Sequence, residues 1–220
     1  MENRIHVIVG HYGSGKTEFA VNYAYKLKET FQRVYIVDLD IVNPYFRTVD
    51  VKNALEEAGI SVIASPYAAT NVDIPALPAE VSRVFADRDA AVVFDVGGDD
   101  DGAIALGRYK HFFENEPPEV LFIINAYRPL SSSAELIIEL LRDIESASRL
   151  SVTGLVNSSN VAALTTEEEI VKGQAITDEV SHKTGIPCRF VAAMPDVLAR
   201  LPKGLKAKGF TIKRYLSLPF

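Results

Sequence analysis

Short apolar runs rich in β-branched residues alternate along this chain with stretches that have helical spacing. The runs predict strands at Arg4–Val9, Arg33–Asp38, Ile60–Ala64, Ala90–Val96, Val120–Asn125, Ser151–Asn157 and Cys188–Ala192. The stretches between them predict helices at Lys16–Glu29, Val49–Ala58, Leu77–Ala86, Gly102–Glu114, Ser132–Ala147 and Thr166–Thr184. Strands that are apolar throughout need cover on both faces. We therefore expect a three-layer, doubly wound α/β fold with a mainly parallel sheet of about seven strands.

Composition narrows the class of protein. The chain has 220 residues, of which 48% are hydrophobic, so we expect residues 1–220 to form a single domain with a sizeable core. The net charge of −6 argues against nucleic acid as a partner. A single cysteine, Cys188, excludes an intrachain disulfide and is predicted to be a small buried thiol. Without a leader or an apolar run of spanning length, a cytoplasmic protein is expected and a membrane partner is not.

A glycine-rich loop joins the first predicted strand to the first predicted helix. It reads GHYGSGKT from Gly10 to Thr17, the G-x-x-x-x-G-K-[ST] pattern of a P-loop. Its glycines let backbone N–H groups converge on one anion, and the helix start adds the positive end of its dipole. Lys16 supplies a charge for phosphates, and the Thr17 hydroxyl suits Mg²⁺. The predicted nucleotide-binding residues here are Gly10, His11, Tyr12, Gly13, Ser14, Gly15, Lys16, Thr17 and Glu18.

Aspartates follow two of the predicted strands, at the sheet edge where ligands bind in such folds. One strand leads into Asp38 and Asp40, and another ends with Asp95, which forms D-x-x-G with Gly98. Carboxylates are hard ligands suited to Mg²⁺ and can orient an attacking water. We predict Thr17, Asp38 and Asp95 as metal ligands and Gly98 as a γ-phosphate contact. The predicted catalytic residues are Lys16, Asp38 and Asp40.

These residues resemble the MinD/ParA/CobQ-like group of P-loop ATPases, also called the SIMIBI class. The resemblance rests on the P-loop, on Val37–Ile41 and Asp95-x-x-Gly98, and more weakly on Leu155–Asn157 and Met194–Asp196. It implies ATP or ADP with Mg²⁺ as cofactors. By the same resemblance, the second aspartate after strand 2 assists the attacking water, an asparagine contacts adenine, and the backbone around a proline lines the base pocket. The corresponding positions here are Asp40, Asn157 and Pro195.

The loop departs from that group at two positions. His11 stands where the group has a signature lysine, and Tyr12 stands where it has glycine. That lysine reaches across a dimer, so the dimer mechanism is not carried over and a homodimer stays an open alternative. The chain has no N-K-x-D guanine-recognition sequence, which favours adenine. Arg47 and Arg128 are the arginines best placed by sequence to reach anionic groups.

The leading hypothesis is a slow ATP hydrolase that acts as a nucleotide-dependent switch for a partner protein, with movements at Asp40–Arg47 and Gly97–Gly102. One alternative is an ATP-dependent synthetase or ligase that phosphorylates a small carboxylate, similar to dethiobiotin synthetase or cobyrinic acid amidases. Another is a small-molecule kinase using Arg83, Arg108 or Arg128, and a further one is a binding module that does not hydrolyse nucleotide.

Two local features carry separate expectations. Ser132 and Glu135 have capping-box spacing at one helix start, and Thr166 precedes three glutamates at another. The basic stretch Lys203–Phe220 contains Gly204 and Gly209, which disfavour a membrane-binding amphipathic helix. We expect a docked tail whose basic side chains face solvent.

Overall fold

A single sheet of parallel strands forms the centre of the molecule. The computed structural model describes residues 3–39, 51–64, 79–98 and 100–216. Within them the eight strands lie in the order β3-β2-β4-β1-β5-β6-β7-β8 and are all parallel. Their bounds are β1 (Ile5–Gly10), β2 (Arg33–Leu39), β3 (Ile60–Ala64), β4 (Ala90–Val96), β5 (Glu119–Ile124), β6 (Gly154–Asn157), β7 (Cys188–Ala193) and β8 (Gly209–Thr211).

Helices cover both faces of this sheet. Their bounds are α1 (Lys16–Lys28), α2 (Lys52–Glu57), α3 (Ala79–Ala86), α4 (Asp100–Gly107), α5 (Lys110–Asn115), α6 (Ala134–Ser148), α7 (Glu167–Thr184), α8 (Pro195–Arg200) and α9 (Lys203–Lys206). Helices α1 and α2 contribute side chains to one core cluster, and α3, α4, α5, α6 and α7 contribute to another on the opposite face. The predicted three-layer α/β fold is confirmed.

All seven predicted strands are present, and β8 is an additional strand that the sequence did not indicate. The prediction of one helix over Gly102–Glu114 is wrong, because a turn after Gly107 separates α4 from α5. A Cβ built on Gly107 would lie 3.0 Å from the carbonyl oxygen of Ala147, so this turn packs closely against α6. Tyr109 and Phe113, just after the break, are buried in the same core.

The two predicted helix starts differ in outcome. Thr166 caps α7, and with Glu169 it forms a reciprocal capping box. The capping box expected from Ser132 and Glu135 is not formed, because α6 begins one residue later. Ser133 is its N-cap, and its side chain accepts a hydrogen bond from the Leu136 N–H.

The basic stretch after α8 is docked on the body of the protein. It forms α9 and β8, and residues 212–216 then run along α1, while 217–220 lie outside the described residues. Its charged side chains Lys203, Lys206, Lys208, Lys213 and Arg214 are all exposed, as expected. None of the described helices has the length and hydrophobicity needed to cross a membrane.

Ionic contacts fix the opposite edge of the sheet, where the strands begin. The buried guanidinium of Arg4 donates two hydrogen bonds of 2.6 Å to the carboxylate of Glu116. It also donates to the main-chain carbonyls of Val84, Phe85, Asp87 and Ala90. A buried charge needs such a full set of partners, so Arg4 ties β1 to α3, α5 and the turn before β4.

A second cluster at this edge surrounds Glu119. Nδ1 of His6 lies 3.0 Å from one carboxylate oxygen, and the hydroxyl of Tyr23 donates to the same oxygen at 3.2 Å. Arg189 donates to the other oxygen at 3.2 Å. The hydrogen bond from His6, against the opposing effect of burial, holds the pKa of Glu119 below its usual value.

Candidate functional site

The glycine-rich loop forms a tight concavity between β1 and α1. Gly10, Gly13 and Gly15 have φ values of 144°, 71° and 91°, which residues with side chains rarely adopt. Gly10 also packs so closely on β5 that a Cβ there would lie 2.5 Å from the carbonyl oxygen of Ile123. Gly15 is the N-cap of α1 and has no side chain, so the first turn faces an incoming anion with its own N–H groups.

Lys16 and Ser14 line the inside of this concavity. Nζ of Lys16 donates to the carbonyl oxygen of His11 at 3.0 Å, and the residue is only 6% exposed. The hydroxyl of Ser14 is buried without a hydrogen-bond partner among the described residues. A buried hydroxyl and a buried ammonium group beside converging N–H groups fit an anionic ligand.

Gly98 brings the D-x-x-G segment against the phosphate loop. A Cβ built on Gly98 would lie 2.6 Å from the backbone nitrogen of Tyr12 and 2.8 Å from Nζ of Lys16. Only glycine permits this approach of two backbones. Gly98 therefore lies beside Lys16, and its contact with a γ-phosphate stays a prediction.

Asp38 and Asp95 stand opposite each other at the ends of neighbouring strands. They are paired in the register between β2 and β4, and they are 6% and 1% exposed. The alternation of side chains along a strand puts them on the same face as Ile36 and Val93, which pack in the core beneath α1. Two carboxylates next to the start of α1, with Thr17 in its first turn, form a donor set of the oxygen type that Mg²⁺ prefers.

Metal binding by side chains alone is not indicated. Among the described residues, no three His, Cys, Asp or Glu side chains gather into a metal cluster. Mg²⁺ in nucleotide sites is held by few protein ligands together with phosphates and water, so Thr17, Asp38 and Asp95 suffice for that kind of site.

A cavity of about 730 Å³ opens beside the loop, within the size range of small-molecule sites. Gly13, Gly15, Lys16, Thr17 and Arg128 line its polar end. The remaining wall is largely apolar and comes from the end of β7 and from the segments after β6, β7 and β8. It includes Ala162, Ala163, Ile170, Ala192, Ala193, Met194, Val197, Ile212 and Leu216.

The two positions expected at the base, Asn157 and Pro195, have different environments in the structure. Asn157 is fully buried, and its amide nitrogen donates to the carbonyl oxygen of Ile170 and to Gln174, both at 3.0 Å. Its amide oxygen accepts from the Ser159 N–H. Asn157 thus supports the loop from behind, while Ser158 and Asn160 line the cavity itself.

The backbone around Pro195, expected to line the base pocket, borders this cavity. Met194 and Asp196 line the cavity on either side of Pro195, which begins α8. Contact between a base and Asn157 or Pro195 stays a prediction.

The two unusual loop residues have distinct environments. The pKa of the His11 imidazole is lowered by burial, and its Nδ1 atom has no hydrogen-bond partner within the described residues. Tyr12 is 53% exposed. Nε of Arg128 donates to the carbonyl oxygen of Gly13 at 2.8 Å, so this arginine lies against the loop.

Glu18 has a role that the loop pattern does not convey. Its carboxylate accepts hydrogen bonds from the N–H groups of Tyr215 and Leu216, at 2.7 and 3.3 Å. Its place in the predicted nucleotide site therefore rests on its backbone N–H in the first turn of α1. Asp40 and Arg47 lie outside the described residues, so their predicted roles stay predictions.

No family model matches the sequence, and no curated protein matches it. The fold is similar to cell division protein FtsY from Thermotoga maritima, with a TM-score of 0.57 and 20% identity over 86% of this chain and 61% of that one. It is also similar to chloroplast FtsY from Physcomitrella patens, with a TM-score of 0.60 and 18% identity over 87% of this chain and 58% of that one.

A third similar structure is the 54 kDa signal recognition particle protein from Aeropyrum pernix, in complex with GDP. Its TM-score is 0.55 and its identity 23%, over 87% of this chain and 41% of that one. This chain thus spans between 41% and 61% of the length of these three structures. At such identities the likeness establishes an α/β fold of the P-loop NTPase type. The finer resemblance to the MinD/ParA/CobQ-like group stays a prediction.

Proposed function

We propose that this protein binds ATP with Mg²⁺, hydrolyses it slowly and acts as a nucleotide-dependent switch for a partner protein. The observation that carries the proposal is the meeting of the loop Gly10–Thr17, the aspartates Asp38 and Asp95, and Gly98 at one edge of the sheet, beside a cavity of nucleotide size. The GDP bound to the similar signal recognition particle protein supports a nucleotide as the ligand of this fold.

Each residue has a defined task in this proposal. Lys16 and the N–H groups of the first turn of α1 bind the phosphates, and Gly98 presents its N–H to the terminal one. Thr17, Asp38 and Asp95 would hold Mg²⁺, which neutralises charge on the phosphate oxygens when it is bound. The family resemblance gives Asp40 the task of orienting the attacking water.

The cavity wall favours adenine. The side-chain amide of Asn160 does not decide the base, because its nitrogen donates to the Ser158 carbonyl at 2.8 Å and its oxygen accepts from the Ala162 N–H at 3.3 Å; the preference comes from the lining carboxylates. Guanine would need a carboxylate to accept from its ring N–H and amino group. Of the described residues lining the cavity, the carboxylates are Glu18, held by two backbone N–H groups, and Asp196, which lies 3.5 Å from Arg200.

A protein is the favoured second partner because of the surface around Arg128. Tyr12, Tyr127 and Leu130 are exposed on the loops that meet at the contact between Arg128 and Gly13. Exposed apolar side chains grouped in this way are typical of protein interaction surfaces. The movement that a switch needs is assigned to the segments that contact the terminal phosphate, Gly98 among them.

Titration of a fluorescent ATP analogue in the presence of Mg²⁺ tests the binding claim. Lys16→Ala should weaken binding about tenfold to a hundredfold, since a charge-assisted hydrogen bond is lost. Lys26→Ala on the same helix is the matched control, because Lys26 lies over the rings of Phe190 and Phe210, away from the cavity. Unlabelled ATP should displace the analogue better than GTP.

Phosphate release then separates the switch from the alternatives. Slow release by the protein alone, accelerated by a protein fraction, agrees with the switch. Release that strictly requires a small carboxylic acid would identify a synthetase instead. Equal loss of binding in Lys16→Ala and Lys26→Ala would contradict the assignment of the loop.

A further inference from the structure

The chain after β8 builds part of the cavity in an alternating pattern. Residues 212–216 run along α1, and every second side chain, Ile212, Arg214 and Leu216, lines the cavity. This period of two is that of an extended chain, which turns successive side chains to opposite sides. Lys213 and Tyr215 are not among the lining residues. We call residues 212–216 the wall segment.

Helix α1 holds the wall segment by its backbone. Asn22 and Lys213 form a reciprocal pair, in which the Asn22 amide donates to the Lys213 carbonyl at 2.9 Å and accepts from its N–H at 2.8 Å. The carboxylate of Glu18 accepts from the N–H groups of Tyr215 and Leu216, two and three residues further along. Together with the hydrogen bond from the Ile212 N–H to the Ala193 carbonyl of β7, at 2.9 Å, five hydrogen bonds hold this stretch.

The same turn of α1 serves the phosphate loop and the wall segment. Glu18 directly follows Thr17. Burial raises the pKa of Glu18, and the N–H groups of the segment and the charge of Arg214 oppose that shift. The rings of Tyr25 and Tyr215, stacked 4.7 Å apart, extend the attachment along the helix.

We infer that the wall segment is the sugar and base wall of the nucleotide site, and that nucleotide and segment hold each other in place. The inference rests on the proposed function and adds a binding element to it. Ile212 and Leu216 offer apolar surface to a purine ring, and Arg214 offers guanidinium donors to the sugar-phosphate part of the ligand. Because coupling between two binding events is reciprocal, a bound nucleotide slows release of the segment, and a loosened segment weakens nucleotide binding.

Limited proteolysis measures the first half of this coupling. Trypsin cleaves after the exposed residues Lys213 and Arg214 only when the backbone leaves Asn22 and Glu18. With ATP and Mg²⁺ at about ten times the dissociation constant, cleavage at these sites should slow about tenfold, since only the free fraction opens. In Lys16→Ala the same nucleotide concentration should give far less protection.

Point variants measure the second half by titration of the fluorescent ATP analogue. Arg214→Ala should raise the dissociation constant about two- to fivefold, as expected for an exposed ionic contact. Lys213→Ala removes the same charge from the adjacent residue and should leave the constant unchanged. Asn22→Ala should speed cleavage without nucleotide and weaken binding about fivefold or more, as the loss of two hydrogen bonds implies. Asn22 does not line the cavity, but its amide also donates to the Glu18 carbonyl at 2.8 Å within α1, so the cleavage rate is the readout that reports on the segment itself.

The outcomes separate this inference from the proposed function. The inference would be overturned, and the proposed function left intact, if the protein bound the analogue but ATP and Mg²⁺ did not slow its cleavage by trypsin. The same holds if Asn22→Ala were cleaved faster than wild type but bound the analogue with unchanged affinity. Circular dichroism and thermal melting show whether Asn22→Ala remains folded; if it does not, Arg214→Ala against Lys213→Ala decides. A wild-type protein that binds no nucleotide would overturn the proposed function itself.

Discussion

Replacement of Gly98 by alanine tests the closest approach in the site. Gly98 is not one of the described glycines with a positive φ, so its backbone conformation allows alanine. The free-energy cost of Gly98→Ala therefore comes from steric overlap alone. The new Cβ would lie 2.6 Å from the Tyr12 nitrogen, 2.8 Å from Nζ of Lys16 and 2.8 Å from Cα of Tyr12. Two of these three atoms belong to backbone, so the loop or the D-x-x-G segment has to move by about half an ångström or more to reach ordinary contact.

The expected magnitude follows from that displacement. Overpacking of this kind costs about 1–3 kcal/mol, which lowers the melting temperature of a chain of this size by roughly 2–12 °C. Displacement of Lys16 from its position should also weaken binding of the ATP analogue by about tenfold or more, as loss of a charge-assisted contact does.

Gly204→Ala is the matched control, since a Cβ there meets nothing within 4 Å and the residue lies in α9. It should leave binding unchanged and raise stability by up to about 1 kcal/mol. Melting temperature and affinity are measured on both variants by thermal unfolding and fluorescence titration. If Gly98→Ala behaved like Gly204→Ala in both measurements, the close packing of Gly98 on the phosphate loop would be refuted.

Three further predictions concern stability. Arg4→Leu should destabilise the protein by about 3–5 kcal/mol, because Glu116 and several carbonyls lose a buried partner, whereas Arg33→Ala, in an exposed pair with Asp87, should cost about 1 kcal/mol or less in thermal unfolding. Gly173→Ala should destabilise the protein, although alanine usually stabilises a helix relative to glycine, because the new Cβ would lie 2.0 Å from Oγ of Ser159. Gly204→Ala again serves as the control, and an equal change of melting temperature in the two variants would contradict this packing. Because the pKa of Glu119 is lowered in the folded protein, its ionised carboxylate contributes stability above the usual glutamate pKa, and this contribution is lost as the pH falls through the lowered pKa. The free energy of unfolding in urea should therefore depend less steeply on pH below about 4.5 in Glu119→Gln than in wild type or in the exposed control Glu139→Gln. Parallel pH curves for the three proteins would contradict this prediction.

The loop and the strand-end aspartates could be predicted because they depend on local pattern and on one topological rule. Gly10–Thr17 carries its own signature, and the carboxyl ends of parallel strands lie along one edge, which places Asp38 and Asp95 on the side of the loop. Their direct pairing depends on the adjacency of β2 and β4, which the sequence did not predict. The strands themselves were visible as apolar runs, since each is buried on both faces.

The rest of the cavity depends on contacts between residues far apart in sequence. By its sequence position Glu18 is an acidic residue at a helix start, and no neighbouring residue indicates that its carboxylate accepts a hydrogen bond from the N–H of Tyr215, nearly two hundred positions away. Asn157 ends a strand as a base-binding residue would, yet its side-chain amide donates to Ile170 and Gln174 of α7, and no local pattern indicates these contacts. Strand β8 is three residues long and was too short to show a pattern.

The most direct measurement is an experimentally determined structure of the protein with Mg²⁺ and a non-hydrolysable ATP analogue. The account predicts phosphates within the loop Gly13–Thr17, Mg²⁺ near Thr17 and the aspartates Asp38 and Asp95, and an adenine ring between Asn160 and residues 212–216. An analogue bound elsewhere, or a cavity that stays empty at saturating analogue, would contradict it.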